Sequence, residues 1–500
     1  MSLHPGAVAA AAPNRPAVVI DGAVLTYGDL AKRSEQLAGR LAALGCAPGD
    51  TVALILGNRA EFFVAAWAAQ MSGLYFVPLS ERLTPPERNY ILADSGAKLV
   101  LTQDAHLPRA LVPAQWESGA TAPFARTEGS DMLYTSGTTG HPKGVKRPLS
   151  GAALGSDSRR AKRAQALFGM GADTVFLSPA PLYHAAPLRW AMTVLRLGGT
   201  VVAMTKFDPA EALRLLGDHQ VTHSQWVPTM FARMLALAGR PANPLSHICA
   251  IHAGAPCPPD IKRRMIDWWG PILHEYYSGT EAVGFTHITS AEWLERPGSV
   301  GRAYGARIHI LDQHDIPLPP GATGRVFFES ATPHAYHNAP EKAAAATSRQ
   351  GYATMGDIGH VDADGYLWLT DRASFTIISG GANIYPAEIE AALMSDPAIV
   401  DCAVFGVPDA DLGEVVQAVI ELREPAADPA AAARAIAERL AGLISANKIP
   451  RQIAFTDRLP RMDSGKVQKR ILAEHYADPA RRGYYGRVRD KYRGRTACKE

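Results

Sequence analysis

The segment Tyr134–Gly144 (YTSGTTGHPKG) has the clearest chemical pattern in the sequence. Its glycines let backbone N–H groups converge on an anion, its hydroxyl side chains can donate to that anion, and Lys143 adds a mobile positive charge. The Walker spacing is absent, because Pro142 stands five residues after Gly137 and Lys143 is followed by glycine. The pattern therefore predicts a phosphate-binding loop that differs from the P-loop of strand-to-helix NTPases.

Six further segments, taken with this loop, resemble the motifs of one family. They are PLYHAAP (Pro181–Pro187), HAGAP (His252–Pro256), YSGTE (Tyr277–Glu281), MGDIGHVDADGYLWLTDR (Met355–Arg372), SGGANIYPAEIE (Ser379–Glu390) and PRMDSGKVQKR (Pro460–Arg470). In this order they resemble the adenylate-forming superfamily, which includes acyl-CoA synthetases, luciferases and stand-alone adenylation domains. The resemblance extends from about Pro13 to Leu472, and seven motifs in one order are hard to attribute to chance.

The resemblance implies that this chain binds ATP. The residues that match the family's phosphate loop are Thr135, Ser136, Gly137, Thr138, Thr139, Gly140 and Lys143. The residues that match its adenine-facing groups, with Tyr277 as the stacking ring, are Gly254, Ala255, Pro256, Tyr277, Ser278 and Gly279. Asp357 and Arg372 match the ribose-binding pair. Thr280 and Glu281 would contact the α-phosphate, and Glu281 would hold Mg²⁺, a cation that favours oxygen ligands.

A carboxylate is a poor acyl donor, and the resemblance implies that this protein activates one at the α-phosphorus of ATP. Catalysis of that step is mostly positioning and electrostatic stabilisation. Lys466 would hold the carboxylate against the α-phosphate, and His184 would lie between the acyl and thiol paths. The implied catalytic residues are Lys466, Thr280, Glu281 and His184. The implied substrates and cofactors are ATP, Mg²⁺ and coenzyme A.

The acyl pocket and the thiol tunnel follow from the same resemblance. Gly380 and Gly381 would border the pantetheine tunnel. The residues expected to line the acyl pocket are His184, Ala185 and Trp226. The stretch Tyr183–Pro187 has no carboxylate that could pair with a substrate ammonium group. We therefore expect an acid with an uncharged tail that is medium to long, or bulky and apolar.

Ser374 matches the pivot about which the family's small domain rotates between adenylation and thioester formation, and a small polar residue suits a hinge. The next residue is commonly acidic in the family, whereas here it is Phe375. This departure concerns the pivot and not the chemistry.

Three functions are compatible with these residues. The favoured one is a carboxylic acid–CoA ligase that forms an acyl-adenylate and then a thioester. The second is an adenylating enzyme that transfers its acyl group to a carrier protein acting in trans, since 34 residues follow Lys466. The third is a nucleotide-binding protein without catalysis, which is disfavoured by the presence of Lys143, Glu281, Asp357, Arg372 and Lys466. No residue selects a luciferase-type oxygenation.

Up to about residue 325, helical patterns alternate with short apolar strands, which is typical of layered α/β sheets. Helices are predicted at Leu30–Leu44 and Ala60–Met71. Strands are predicted at Thr51–Leu56, Leu99–Thr102, Thr174–Ser178 and Thr200–Met204. From Val300 the pattern becomes β-rich, with strands at Arg307–Leu311 and Gly324–Glu329.

A smaller α+β region follows. Its predicted elements are a strand at Phe375–Ile378, a helix at Pro386–Met394, strands at Ile399–Val407 and Val415–Glu421, and a helix at Pro429–Ser445. We therefore predict an α/β fold whose large N-terminal AMP-binding domain (1–372) has layered sheets and a β-rich part. A small mobile C-terminal domain (373–475) would carry Lys466, and a basic tail (476–500) would follow.

The composition, 47% hydrophobic and 20% charged over 500 residues, is typical of a soluble globular protein. Residues 478–500 hold eight Lys and Arg against three Asp and Glu, so the net charge of +3 leaves the remainder near neutral and gives no support to nucleic-acid binding. No stretch is long and apolar enough for a transmembrane segment, and no signal peptide is evident. Five cysteines without a C-x-x-C pair indicate reduced thiols in the cytoplasm.

Two other clusters could carry chemistry. Strand alternation argues against a zinc site, because His247 and Cys249 would share one face while His252 points to the other and Cys257 lies beyond a turn. The second cluster comprises Arg159, Arg160, Lys162 and Arg163. It is predicted to be a solvated helix face, with a contact to a CoA phosphate as the alternative.

A homodimer is compatible with the sequence.

Overall fold

The computed structural model describes residues 3–135, 142–156, 158–329, 336–372, 375–379, 382–461 and 467–485. The chain divides into two compact units. The larger unit comprises Met1–Arg307 and Phe328–Ala353, and the smaller comprises Ile308–Phe327 and Thr354–Glu500. The mixed α/β architecture is confirmed. The domain boundary at residue 372 stays a prediction.

The helices are α1 Pro5–Ala11, α2 Tyr27–Ala43, α3 Ala60–Met71, α4 Pro85–Asp94, α5 Arg159–Phe168, α6 Ala185–Leu197, α7 Pro209–Asp218, α8 Pro228–Leu235, α9 Pro259–Trp269, α10 Ser290–Glu295, α11 Pro340–Ala345, α12 Pro386–Met394, α13 Pro429–Leu440 and α14 Lys469–Tyr476. The strands up to residue 226 are β1 Pro16–Ile20, β2 Ala23–Thr26, β3 Thr51–Ile55, β4 Tyr75–Pro78, β5 Leu99–Thr102, β6 Ala110–Leu111, β7 Ser130–Asp131, β8 Leu133–Thr135, β9 Lys143–Val145, β10 Val175–Ser178, β11 Thr200–Ala203 and β12 His223–Trp226. The later strands are β13 Cys249–His252, β14 Leu273–Tyr277, β15 Thr286–Thr289, β16 Ser299–Ala303, β17 Arg307–Leu311, β18 Gly324–Glu329, β19 Ala353–Val361, β20 Tyr366–Arg372, β21 Ile377–Ser379, β22 Ala382–Ile384, β23 Ile399–Asp409, β24 Gly413–Leu422, β25 Gln452–Phe455 and β26 Tyr484–Tyr485.

Within the described residues, the larger unit holds two sheets and a β-hairpin. The first sheet has the strand order β16-β15-β14-β13-β12-β10-β11-β1-β2 in this unit. Its central strands β1 and β10 to β14 run parallel, and the outer strands β2, β15 and β16 add antiparallel pairs. The second sheet, β6-β5-β3-β4-β7, is parallel throughout. Parallel sheets of this kind need cover on both faces, which the intervening helices provide.

Helix α3 joins the two sheets. Its sequence AEFFVAAWAAQM is apolar on every side, and nine of its 12 residues are buried. It contacts α2, β1 of the first sheet, and β3, β4 and β7 of the second. A helix that is hydrophobic all round belongs between layers, so the sequence itself accounts for this position.

The smaller unit contains strands β17-β18-β19-β20 and a separate sheet, β22-β21-β24-β25-β26, in which β23 also pairs with β24. The β23–β24 hairpin runs from Ile399 opposite Leu422 to Asp409 opposite Gly413. Gly413 has a φ of 78°, which glycine adopts without strain at the turn. Helices α12 and α14 both contact β23.

Five predicted elements, α3, β5, β17, β18 and α12, coincide with the structure at both ends. The helix predicted to reach Ser445 ends at Leu440, because Gly442 follows shortly after and glycine favours helix termination. The strand predicted from Phe375 begins at Ile377, which is the first residue to pair with β22. No helix in the described part of the chain combines the length and apolar character needed to cross a bilayer.

Candidate active site

Strands β8 and β9 hold the two ends of the predicted phosphate loop. Thr135 pairs with Lys143, and Tyr134 pairs with Gly144. A Cβ at residue 144 would lie 3.0 Å from Cζ of Tyr134, so glycine lets that ring cross the opposite strand closely. The structure does not describe the side chain of Thr135, nor the predicted loop residues Ser136, Gly137, Thr138, Thr139 and Gly140.

The predicted phosphate lysine and the predicted magnesium ligand are neighbours in the larger unit. Burial lowers the pKa of the Lys143 ammonium, and so does Lys342, whereas the Glu281 carboxylate raises it. The Tyr336 hydroxyl donates to Oε1 of Glu281 at 2.8 Å. The Lys143 Nζ lies 5.9 Å from the centre of the Tyr336 ring. Tyr336 therefore links the two charged groups.

The sequence alone does not predict the role of Tyr336. Its segment is fixed by the backbone, because the N–H of His337 donates to the carbonyl of Gly144 at 2.8 Å and Tyr336 forms a β-bridge with Val145. These contacts attach the segment to β9, directly beside Lys143. The pairing joins residues far apart in the chain, so no local motif could have predicted it.

Tyr277 is the last residue of β14, and the turn after it carries Ser278 to Glu281. The Ser278 hydroxyl donates to the carbonyl of Gly284 at 2.6 Å. Ala282, directly after Glu281, has a φ of 54°, a left-handed conformation that is uncommon for residues other than glycine. A Cβ at residue 284 would lie 2.2 Å from Cγ of Phe328, so this ring packs directly on the turn. These contacts hold Thr280 and Glu281 in a fixed backbone conformation.

His184 lies at the N-cap of α6. Asn58 holds the connection that precedes it, because its amide donates to the carbonyls of Ala180 at 3.0 Å and Met204 at 2.7 Å. The Asn58 carbonyl also accepts from the N–H of Leu182 at 2.8 Å. Asn58 was not predicted, and an asparagine after a buried strand is only a weak signal in a sequence.

Trp226 lies in a packed aromatic group of the larger unit. Its indole is fully buried, donates to Oγ of Ser224 at 2.6 Å, and lies 5.5 Å from Trp269 between ring centres. Ala185, the first residue of α6, is partly buried. A place in the acyl pocket stays a prediction for both residues.

Strand β13 ends at His252, and beyond it lie the predicted adenine-facing residues Gly254, Ala255 and Pro256. Gly254 is exposed and has a φ of 91°, which other residues rarely adopt. Beneath this turn, Lys262 Nζ lies 2.6 Å from Oε2 of Glu275, and both side chains are buried. Burial raises the pKa of Glu275, and Lys262 opposes that effect.

The predicted ribose-binding residues lie opposite each other in the smaller unit. Asp357 on β19 is in register with Arg372 on β20. Asp357 is buried, and the side chain of Arg372 is outside the described part of the chain. A Cβ at residue 359 would lie 2.3 Å from the carbonyl oxygen of Trp368, so Gly359 permits the close approach of these strands.

Four further predicted residues, beyond those of the phosphate loop, are outside the described ranges, namely Lys466, Ser374, Gly380 and Gly381. Phe375, which departs from the family pattern, is described and packs near α14. The Lys469 Nζ lies 5.4 Å from the centre of the Phe375 ring and 2.7 Å from Oε1 of Glu390. Phe375 thus contacts Lys469, the first residue of α14, which follows the predicted catalytic Lys466 by three residues.

His247 is held by hydrogen bonds within the fold. Its Nε2 lies 2.7 Å from Oγ of Ser224, and its Nδ1 lies 2.7 Å from Oδ1 of Asn243. Among the residues that the structure describes, no group of three or more His, Cys, Asp and Glu side chains is placed to hold a metal ion.

The arginines of α5 do not all lie on the solvated face that the sequence favoured. Arg159 is exposed, but Arg160 Nη1 lies 3.2 Å from Oδ1 of Asp131. The Cζ of Arg163 lies 3.8 Å from the centre of the Phe285 ring. The expectation was wrong for these two residues, because they flank the buried face of the helix formed by Ala161, Ala164 and Phe168.

This fold and these motifs match a known family. The family model described as "AMP-binding enzyme" matches residues 7–333, and the model described as "AMP-binding enzyme C-terminal domain" matches residues 388–466. The chain therefore belongs to the AMP-binding enzymes, and the resemblance to adenylate-forming proteins is confirmed.

Individual relatives extend over nearly the whole chain. It is 32% identical over 479 residues to a feruloyl-CoA synthase of Amycolatopsis sp, covering 91% of this chain and 95% of the relative. It is 32% identical over 509 residues to a fatty acid–[acyl-carrier-protein] ligase of Streptomyces coeruleorubidus, covering 94% and 95%. The o-succinylbenzoate CoA synthetase of Bacillus subtilis, solved with its acyl-adenylate intermediate, has a TM-score of 0.83 at 28% identity and covers 94% and 98%. The same synthetase, solved with ATP and a magnesium ion, has a TM-score of 0.82 at 28% identity and also covers 94% and 98%.

Proposed function

We propose that this protein is an ATP-dependent, AMP-forming carboxylic acid–CoA ligase. It joins an acid to the α-phosphate of ATP with release of pyrophosphate, and the thiol of coenzyme A then attacks the acyl carbon and releases AMP. The observation that carries the proposal is the grouping of Lys143, Tyr336 and Glu281, which places a cation and an oriented carboxylate beside the ends of the phosphate loop. The relatives named as CoA synthases support the same reaction.

The residues present fit a nucleotide with magnesium. Glu281 offers carboxylate oxygens, which are the ligands that Mg²⁺ prefers, and the hydroxyl of Tyr336 orients that carboxylate. Lys143 lies close enough to Glu281 for that carboxylate to raise the pKa of the lysine, and it supplies a positive charge for phosphate oxygens. When bound, the metal ion supplies charge neutralisation to the phosphates.

The predicted site residues then have distinct tasks in adenylation. Lys143 holds the outer phosphates, and Thr280 contacts the α-phosphate from its rigid turn. Asp357 and Arg372 hold the ribose from paired strands. Lys466 holds the acid's carboxylate in line with the α-phosphorus. Negative charge builds up around that atom, so the loss of one preorganised donor should lower the rate by about 10²–10³.

Thioester formation uses a second group of residues. His184 stands at the start of α6, where it separates the path of the acyl group from the path of the thiol. Gly380 and Gly381 border the pantetheine tunnel, since a residue without a side chain lets the cofactor arm pass close to the backbone. A pivot at Ser374 would let the predicted C-terminal domain (373–475) serve both half-reactions.

A carrier protein is the second candidate acceptor, because one relative at 32% identity is a fatty acid–[acyl-carrier-protein] ligase. AMP, pyrophosphate and thioester should be measured across acids from acetate to fatty and aromatic acids. Each acid is tested with free coenzyme A, with a pantetheinylated carrier protein, and with neither. The ligase proposal expects AMP and thioester with free coenzyme A, whereas thioester on the carrier alone would select the second candidate.

Matched variants make this experiment specific to the site. Glu281→Gln and Lys466→Ala should lose AMP formation by about 10²–10³. Glu295→Gln and Arg470→Ala are controls, because both side chains are exposed. If Glu281→Gln or Lys466→Ala matches the wild type, the catalytic assignment is wrong. The tail of the acid, the homodimer and the cytoplasmic location stay predictions from the sequence.

A further inference from the structure

Asp94 is the last residue of α4, and it contacts two segments that flank the proposed phosphate site. The Tyr134 hydroxyl donates to Oδ2 of Asp94 at 2.5 Å, and the amide of Asn338 donates to Oδ1 at 3.3 Å. The backbone carbonyl of Asp94 accepts from Nε2 of His337 at 2.9 Å. Tyr134 is 40 residues away in the chain and Asn338 is 244 residues away, so Asp94 joins segments that no local pattern connects.

The stability of α4 does not account for a carboxylate at this position. The C-terminal end of a helix carries a partial negative charge, which repels an aspartate placed there. Asp94 instead directs both carboxylate oxygens to donors outside the helix. Burial raises the pKa of Tyr134, and the Asp94 carboxylate raises it further, so the hydroxyl keeps its proton and stays a donor. The carboxylate therefore serves the contacts with the neighbouring segments.

These contacts converge on Gly144, the neighbour of Lys143. Tyr134 is in register with Gly144 across the β8–β9 hairpin. His337, which is held by the Asp94 carbonyl, donates its own N–H to the carbonyl of Gly144 at 2.8 Å. One route from Asp94 therefore reaches β9 through its partner strand, and the other reaches it through the segment that contains His337. A shift of Asp94 would displace Lys143 along both routes.

The same contacts fix the hydrogen-bond donor of the Glu281 carboxylate. Tyr336 directly precedes His337, and its hydroxyl donates to Oε1 of Glu281 at 2.8 Å. Asn338 has a φ of 52°, a left-handed conformation that asparagine tolerates better than most residues, and its amide attaches this turn to Asp94. Asp94 therefore anchors the segment that orients the predicted magnesium ligand as well as the strand that carries the phosphate lysine.

We propose that Asp94 is a positioning residue of the nucleotide site, which acts through Tyr134 and His337 to fix Lys143 relative to Glu281. The proposal rests on the CoA ligase function above and adds to it a residue outside the seven motifs. Transfer at the α-phosphorus depends on the position of charged groups, and a displacement of about 1 Å can lower the rate about 100-fold. A residue that holds both charged groups is therefore expected to affect the use of ATP.

The first test compares steady-state AMP formation by Asp94→Ala and Asp50→Ala. Asp50 is a matched control, because its carboxylate is also half-buried and accepts from the N–H of Ala47 at 2.7 Å and from Nζ of Lys98 at 2.6 Å. Asp94→Ala should lower kcat/KM for ATP by about 10- to 100-fold and leave KM for the acid nearly unchanged. Asp50→Ala should leave both parameters unchanged. A wild-type kcat/KM for ATP in a folded Asp94→Ala protein overturns the proposal.

Two further variants separate positioning from a merely structural role. Asp94→Asn keeps an acceptor oxygen for the Tyr134 hydroxyl and should recover most of the lost kcat/KM for ATP. In a Lys143→Ala background, Asp94→Ala should lower kcat/KM for ATP much less than in the wild type, because the lysine that it positions is gone. Equal losses in both backgrounds, or losses that only follow the Tm of each variant, overturn the proposal.

Calorimetric titration with ATP and Mg²⁺, without acid or coenzyme A, distinguishes this proposal from the ligase function. Asp94→Ala should raise the Kd for ATP by about 10-fold, and Asp50→Ala should not change it. If this difference is found but the wild type forms no AMP with any acid, the ligase function fails and the positioning role stands. Equal Kd values in wild type and Asp94→Ala, or no binding of ATP to the wild type, overturn the positioning role.

Discussion

Tyr336→Phe removes one hydroxyl group from the proposed nucleotide site and leaves its ring in place. The lost contact is the 2.8 Å hydrogen bond to Oε1 of Glu281. The ring near Lys143 and the backbone bridge to Val145 do not depend on the hydroxyl. The substitution therefore tests the orientation of the Glu281 carboxylate without disturbing the fold of the segment that contains Tyr336.

The expected size of the effect follows from that bond. A hydrogen bond to a charged group contributes about 1.5–3 kcal/mol, which corresponds to about 10- to 150-fold in rate if it is lost in the transition state. We expect kcat/KM for ATP to fall within this range in Tyr336→Phe. The Tm should change little, because the segment keeps its backbone pairing.

The assay is steady-state AMP formation at varied ATP with a saturating acid and coenzyme A. Tyr27→Phe is the contrasting variant, since its buried hydroxyl donates to the carbonyls of Leu195 and Gly199 away from Glu281. It should lower the free energy of unfolding by about 1–3 kcal/mol and leave the kinetics for ATP unchanged. If the kcat/KM for ATP of Tyr336→Phe equals that of the wild type, the proposed role of the hydroxyl is refuted.

Three further substitutions test the surrounding structure. The Asp131 pKa is held below its unfolded value of about 3.9, so its ionisation stabilises the fold above that pH and the benefit is lost as the pH falls. The difference in free energy of unfolding between wild type and Asp131→Asn should therefore shrink below about pH 4 in urea titrations, and a constant difference would contradict this origin. Lys262→Met leaves Glu275 buried without its partner and should destabilise the protein by about 3–5 kcal/mol, partly recovered in the double variant with Glu275→Gln. Asn58→Ala should cost about 1–3 kcal/mol and lower kcat/KM for the acid, because it frees the connection before His184, and wild-type kinetics would show that this connection needs no support.

The fold is largely predictable where the hydrophobic pattern of a segment by itself indicates in which layer of the structure the segment lies. Helix α3 could be predicted to the residue because ten of its twelve positions are apolar, which leaves a buried helix as the main option. The strand predicted at Phe375 was less accurate, because its start depends on a partner strand and not on its own residues. The end of α13 was predicted at Ser445 and not at Leu440 because Leu443 and Ile444 continue the helical spacing of apolar residues beyond Gly442.

The site is predictable only where the chemistry lies in contiguous residues. The motif around Glu281 identifies a carboxylate at a turn, but its hydrogen-bond donor Tyr336 comes from a segment that only the folded chain brings near. The same applies to Arg160 on α5, because its inward position depends on the carboxylate of Asp131, which belongs to strand β7. A helical pattern specifies which face is buried, and it does not specify what a basic side chain at the edge of that face will meet.

Acid-dependent exchange of labelled pyrophosphate into ATP tests the central claim most directly, because it reports acyl-adenylate formation without coenzyme A. The wild type should catalyse exchange with at least one acid, and Glu281→Gln should reduce it by about 10²–10³ while Glu295→Gln does not. The absence of exchange with every acid, or equal exchange in Glu281→Gln, would contradict an adenylating site built around Glu281.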